Sequence, residues 1–398
     1  MNAKTVFILL FLLNLLNYVD RQILFSVFPL IKTDLNLSDS QLGILASAFM
    51  FVYMFAAPLT GFIADRKPRQ YIMSFCAFVW SIATVLTGKA NNYIHLFAAR
   101  SFIGVGEAGF TAVAPSFLAE RFKEIHRAKV LAFFGLALPI GSALGYLLGG
   151  VLGLKFGWRA AFFIVGLPGA LLAALILFLL KDIRQVLPES KKTQFKNYLS
   201  LLKNKPFLFI CLAQAMSTFT LGGLAAWMPS FMNRYYGFSV AQAGAVFGAI
   251  TIIAGAAGTF LGGIFADKLL KKTKKAYYFV SALSFAAAVP LGAASLLLTQ
   301  INLYAAIVFL AAAIMFVFMP TGPINAAIVS TTDIKIRSMA FAVNIFIIHA
   351  LGDAISPALV GGVSDIFNLK TAVCAALFFI IPAAFFSLLA AKNHKSCE

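Results

Sequence analysis

The chain has 398 residues, 61% of them hydrophobic and 12% charged, with 42 phenylalanines and a formal net charge of +18. Soluble domains carry about 25% charged residues, so a soluble enzyme and a disordered chain are both excluded. The positive charge taken alone would suit a nucleic-acid binder, but its placement along the chain argues against one.

Long apolar runs separated by short polar breaks predict twelve membrane-spanning helices. They cover 5–31, 40–64, 71–89, 93–119, 130–154, 159–180, 206–232, 240–266, 276–299, 302–332, 338–364 and 370–391. The first run holds an acid and a base side by side, Asp20 and Arg21. An ionisable group near the bilayer centre costs at least about 2.5 kcal/mol, so such residues mark working parts. Because it carries that pair, the first run is taken as a retained helix and not a cleaved signal peptide.

Of the 32 Lys and Arg, 24 fall in the amino-terminal tail, the even-to-odd connections and the carboxy-terminal tail; six lie on the other side. Arg21 and Arg100 lie within spans. This bias is the positive-inside rule, and it places both termini in the cytoplasm. The charge is therefore a topology signal, and no nucleic-acid partner is expected. Cys76, Cys211, Cys374 and Cys397 show neither disulfide nor metal-ligand spacing. The longest break predicts a linker over 181–205, between an amino-terminal half, 1–180, and a carboxy-terminal half, 206–398. The halves echo one another: Gly61-Phe-Ile-Ala-Asp65-Arg66 follows span 2, and Gly263-Ile-Phe-Ala-Asp267-Lys268 follows span 8. Two parallel six-helix repeats suit a rocking secondary transporter.

The segment Gly61-Phe-Ile-Ala-Asp65-Arg66-Lys-Pro-Arg69 resembles the loop signature of the major facilitator superfamily. Within that superfamily the chain is similar to the Spinster family. The likeness rests on Asn14-Leu-Leu-Asn-Tyr-Val-Asp20-Arg21, Arg100-Ser-Phe-Ile-Gly104-Val-Gly106-Glu107-Ala108, Ala114-Pro115-Ser116 and Pro139-Ile-Gly141-Ser-Ala-Leu-Gly145-Tyr146. The expected architecture is an all-α membrane protein with twelve transmembrane helices in two six-helix halves, the major facilitator fold. The resemblance also implies a monomer.

Arg100 and Glu107 stand seven residues apart in span 4, nearly two turns, so they share a face about 10 Å apart along the axis. Opposite running directions put Asp20 and Glu107 at similar depth. The expectation is a network of Asp20, Arg21, Arg100 and Glu107 lining the first half. Burial and a neighbouring arginine act oppositely on a carboxyl group, so a change of access lets Asp20 or Glu107 load and release a proton; the alternative is a static ion-pair lock. The Spinster resemblance implies proton coupling at the same positions. His349 and Asp353, four apart in span 11, form a second candidate proton pair or an ordinary packing contact. Asp65, Arg66, Arg69 and the second-half counterpart Asp267 are the candidate gating latch, a role implied by the superfamily signature. The series Gly141, Gly145 and Gly149 has small-xxx-small spacing and reads as close helix packing.

By superfamily layout spans 1, 4, 7 and 10 line the path. Arg21 and Arg100 are the candidate anion-binding residues, with Gln214, Thr218, Trp227 and Asn325 as further substrate contacts. A cavity charged on one side and apolar on the other suits an amphiphilic anion. The Spinster resemblance implies lysophospholipids or sphingoid phosphates. The alternative is a small organic anion such as a sugar acid, an amino acid or a siderophore-like compound, because arginine pairs with carboxylate and phosphate alike. A non-transporting receptor or a lipid scramblase on the same fold is the rival of another class. Partners besides substrate are protons and membrane lipids. No cofactor or metal is expected, no nucleophile elbow marks an enzyme, and no Walker loop supports ATP drive. Short loops suggest a bacterial inner membrane.

Overall fold

A computed structural model describes residues 2–182, 201–333 and 336–394, except the side chains of Asp65, Glu124, Ile125, Ala128 and Ser338. The predicted linker therefore lies largely outside the described residues. Among the described residues twelve helices are long and apolar enough to cross a membrane: Ala3–Ser26, Asp39–Ala64, Arg69–Gly88, Tyr93–Ala119, Lys129–Phe156, Trp158–Leu179, Lys205–Tyr235, Val240–Leu270, Ala276–Leu298, Leu303–Thr331, Met339–Ile366 and Leu369–Asn393. They are spans 1 to 12 below. Each matches a predicted run.

Local chemistry sets the helix ends. Ser38 and Gln41 form a capping box at the start of span 2. The side chains of Asn92, Asn302 and Asn368 accept from the backbone N–H groups of His95, Ala305 and Thr371, capping spans 4, 10 and 12. The first predicted run, 5–31, is in fact two helices. Span 1 stops at Ser26, and a short helix, Phe28–Leu35, follows the turn at Val27. Pro29 is the cause: it lacks an N–H, and its ring crowds the carbonyl four residues back. That short helix ends at Asn36, which adopts the left-handed conformation (φ 51°).

Two compact units divide the chain, Met1–Pro188 with Met228–Ala249, and Glu189–Trp227 with Ile250–Glu398. In the first, span 3 packs along spans 4 and 6, span 2 along span 4, and span 1 along span 5. The glycine series of span 5 makes the last contact possible. A Cβ on Gly145 would sit 2.5 Å from the Val19 carbonyl oxygen, and one on Gly141 2.7 Å from that of Leu15. Backbone therefore meets backbone directly beside Tyr18 and Asp20. Span 4 uses the same device: a Cβ on Gly106 would lie 2.7 Å from the Trp80 nitrogen. At one end of this unit Asp39, with its side chain only 3% exposed, accepts from the two terminal guanidinium nitrogens of Arg234 (2.6 Å each) and from the Lys32 ammonium (2.5 Å). Nearby, Arg159 donates to Asp34 (2.7 Å) and holds its carboxyl below the ordinary range. The stability from that bond is present above the usual carboxylate range and is lost as pH falls through the lowered value.

In the second unit span 9 packs along spans 10 and 12 around buried Phe207, Tyr278, Phe285, Ile324 and Ile380. Span 11 is broken in its middle. After Arg337–Ile348 comes a π-turn, His349–Asp353, with Gly352 in a non-helical conformation (φ −110°, ψ −107°), and helix resumes at Ser356.

Candidate functional site

The charged residues of spans 1 and 4 meet inside the first unit. Arg21 Nε donates to Glu107 Oε2 at 2.5 Å; the Glu107 side chain is fully buried and that of Arg21 is 15% exposed. The Arg21 guanidinium is ringed by aromatic faces, 5.3 Å from the Tyr18 centroid, 4.9 Å from Phe49 and 5.0 Å from Tyr53. Cation–π attraction of this kind strengthens on desolvation. Tyr53 is fixed by a 2.7 Å hydrogen bond with Thr111, one turn beyond Glu107 on span 4.

Arg100 is wholly buried and stacks 5.1 Å from the Phe49 centroid. None of its three guanidinium nitrogens has a hydrogen-bond partner. Its electrostatic neighbours are Asp20, Glu107 and Arg21. Asp20 is 2% exposed; its Oδ2 accepts the Thr84 hydroxyl from span 3, while Oδ1 is unpartnered. Glu107 Oε1 and Arg21 Nη2 are likewise without hydrogen bonds. Two arginines and two carboxylates make a formally neutral quartet. Unfilled donors and acceptors in a buried site cost free energy, and all four side chains of the quartet carry such atoms.

The Asp65 side chain lies outside the described residues. Arg66 is exposed, bonded to the Phe62 carbonyl of its own helix and stacked on the Phe62 ring. Arg69, at the start of span 3, is buried. Its guanidinium forks onto Glu120 at the end of span 4 and onto Asp182 after span 6 (2.7 Å), and its backbone N–H also reaches Asp182. The ends of spans 3, 4 and 6 are thereby tied together. Glu120 and Asp182 did not stand out in the sequence because each is a single acid at a helix end among many loop charges. Replacing Arg69 with Ala removes the guanidinium that Asp182, 8% exposed, shares with Glu120. The expected cost is at most about 3–5 kcal/mol, read as a lower melting temperature of the detergent-purified protein; Arg69→Lys recovers only part, since an ammonium lacks the fork. An Arg69→Ala protein that melts like wild type would show the cluster to be idle.

In the second unit His349 Nδ1 and Asp353 Oδ1 lie 2.8 Å apart, both about one-fifth exposed. Their i, i+4 spacing was read on an α-helix, whereas they bracket the π-turn. A Cβ on Gly222 of span 7 would meet Asp353 Cβ at 2.6 Å, so the bracket presses on that helix. Gln214 accepts from Asn344 (2.9 Å), and Thr218 packs against Gly352. Trp227 is fully buried, with its indole N–H donated to the Pro357 carbonyl (2.9 Å). Asn325 and Asp267 are exposed.

Residues 10–357 match the family model of the Major Facilitator Superfamily. Protein spinster homolog 1 of Xenopus tropicalis is 31% identical over 390 residues, covering 92% of this chain and 73% of the relative. The sphingosine-1-phosphate transporter of Danio rerio is 28% identical over 376 residues, covering 88% and 74%. In fold, the chain superposes on the inward-facing, unoccupied crystal structure of a bacterial homolog of the human lysosomal transporter Spinster. The TM-score is 0.89 at 24% identity, covering 100% of this chain and 99% of the other. With twelve apolar helices in that fold and relatives of that name, the chain is a multi-pass integral membrane protein that belongs to the Spinster family of major facilitator transporters.

Proposed function

We propose that the chain is a proton-coupled carrier that moves an amphiphilic anion, such as a lysophospholipid or a sphingoid phosphate, by alternating access. The observation that carries this reading is the buried, formally neutral quartet with unfilled hydrogen-bonding capacity beside an aromatic-ringed guanidinium. A relative named as a sphingosine-1-phosphate transporter supports it. Arg21 and Arg100 bind the phosphate or carboxylate head, and the rings of Tyr18, Phe49 and Tyr53 meet the apolar body. An anion on Arg21 competes with Glu107 for the same nitrogens. A buried carboxylate that loses its cation is costly unless it takes up a proton, so anion and proton binding are linked, with Asp20 and Glu107 as the carriers. His349 and Asp353 serve as a second proton pair, and Gln214, Thr218 and Asn325 as neutral contacts. Trp227, committed to Pro357, is left out of this assignment.

Asp65, Arg66, Arg69 and Asp267 act at the gating ends of spans 2, 3 and 8. The working halves are 1–180 and 206–398, joined through 181–205. Both termini face the cytoplasm of a bacterial inner membrane, and the carrier works as a monomer.

The test is flux of a labelled lysophospholipid into proteoliposomes, with and without a proton gradient, in competition with amphiphiles of increasing chain length. Each buried CH₂ contributes about 0.8 kcal/mol, so inhibition should strengthen roughly fourfold per methylene until the site is filled. Inhibition independent of chain length would reject the amphiphile and leave small organic anions as the cargo class.

A further inference from the structure

The outer surface of spans 3 and 4 carries a groove that the proposed transport cycle does not use. Its volume is about 770 Å³. The floor is made of small residues, buried Ala83, Ala90 and Ala99 with Ala98 beside them, and the walls include exposed Phe75, Phe78, Leu86 and Phe102. From Phe75 to Lys89 is fourteen residues, about 21 Å of helix. Half the hydrocarbon thickness is about 15 Å, so the groove runs from the interface past the midplane, a length that suits one acyl chain.

One end of the groove is basic. Lys89, at the carboxy-terminal cap of span 3, and His95, in the first turn of span 4, both line it. Three other cations at this end face acids, Lys32 and Arg234 on Asp39 and Arg159 on Asp34, while Lys155 in the last turn of span 5 lies outside the groove. Among the described residues no carboxylate lies within ion-pair reach of Lys89. A lysine without an ion pair at the rim of an apolar groove complements a negative head group on an apolar tail.

We propose that this groove is a lipid site that seats one acyl chain of an anionic phospholipid, with the phosphate held by Lys89 and His95. It is separate from the quartet around Arg21, which lies inside the unit. A lipid seated there would brace span 3, whose inner face supplies Thr84 to Asp20.

The experiment is native mass spectrometry of the delipidated protein after addition of phosphatidylglycerol or phosphatidylcholine with identical chains. Wild type, Lys89→Gln, Ala98→Trp and the double variant Arg21→Ala/Glu107→Gln are compared. Wild type should retain phosphatidylglycerol over phosphatidylcholine by about fivefold, the worth of one lysine beside an anionic head group. Lys89→Gln should remove that preference, and Ala98→Trp should reduce retention of both lipids by filling the floor. The double variant, which leaves no net charge in the central site, should change neither. Equal retention of the two lipids by wild type, or wild-type behaviour in both groove variants, overturns the proposal. Loss of the preference in the Arg21→Ala/Glu107→Gln variant alone would place the lipid in the central site, and a dimer abolished by Ala98→Trp would give the groove to a second copy; either result also overturns it. The failure of lysophospholipid transport would leave this test untouched.

Discussion

Arg21→Ala is expected to abolish transport and to destabilise the protein, and adding Glu107→Gln to the same chain should restore stability without restoring transport. The single substitution leaves the wholly buried Glu107 without the guanidinium that now sits 2.5 Å away. Breaking a buried pair from one side costs about 3–5 kcal/mol, mostly because one charge is left behind. Neutralising Glu107 removes that penalty, so the double variant should melt near wild type. The head-group site is still gone, and flux of the labelled amphiphile should stay at background. Arg21→Lys keeps a charge but loses the planar group that lies against Tyr18, Phe49 and Tyr53, so it should recover stability more than flux. Melting curves and proteoliposome flux on the same four preparations check this. Wild-type flux from the double variant would show the pair to be only a lock between spans 1 and 4.

Asp20→Asn is expected to uncouple transport from the proton gradient while leaving exchange across the membrane intact. Asparagine keeps the size of the side chain and an oxygen for the Thr84 hydroxyl, so packing should survive. A pH difference of one unit is worth about 1.4 kcal/mol per proton, which corresponds to about tenfold accumulation of a cargo moving with one proton. Wild type should respond to the gradient on that scale, and the variant should only equilibrate. Counterflow of labelled against unlabelled cargo, measured with no gradient, reports whether the variant still binds and turns over. Gradient-driven accumulation equal to wild type in Asp20→Asn would take the proton role away from Asp20.

The fold was legible because membrane spans announce themselves by composition. Lipid cannot satisfy a backbone group, so an apolar run of about twenty residues has one solution, and the asparagine and serine caps sharpen its ends. The break at Val27 was missed, since Pro29 sits inside a run whose hydropathy does not change there. The four charges of the quartet were legible for the same reason as the spans: an ionisable residue in an apolar run stands out. Their surroundings were not. Thr84, Phe49 and Tyr53 are unremarkable residues of other helices, and only tertiary packing brings them to Asp20 and Arg21. The partners of Arg69 were hidden in the opposite way, among many loop charges where nothing in the sequence singles out Glu120 or Asp182.

The π-turn in span 11 affects how the rest of that helix is to be numbered onto its faces. Gly352 leaves helical geometry (φ −110°, ψ −107°), and helix resumes only at Ser356, so the two segments of span 11 meet at a kink and share no continuous register. A single helical wheel drawn from Arg337 to Ile366 therefore does not fix the face on which Ser356 and its followers lie. Removing one residue from Ala350 to Gly352 would change both the kink and the rotation of the Ser356–Ile366 segment, and should pull the Pro357 carbonyl off Trp227. For this stretch a deletion is a larger perturbation than any single substitution.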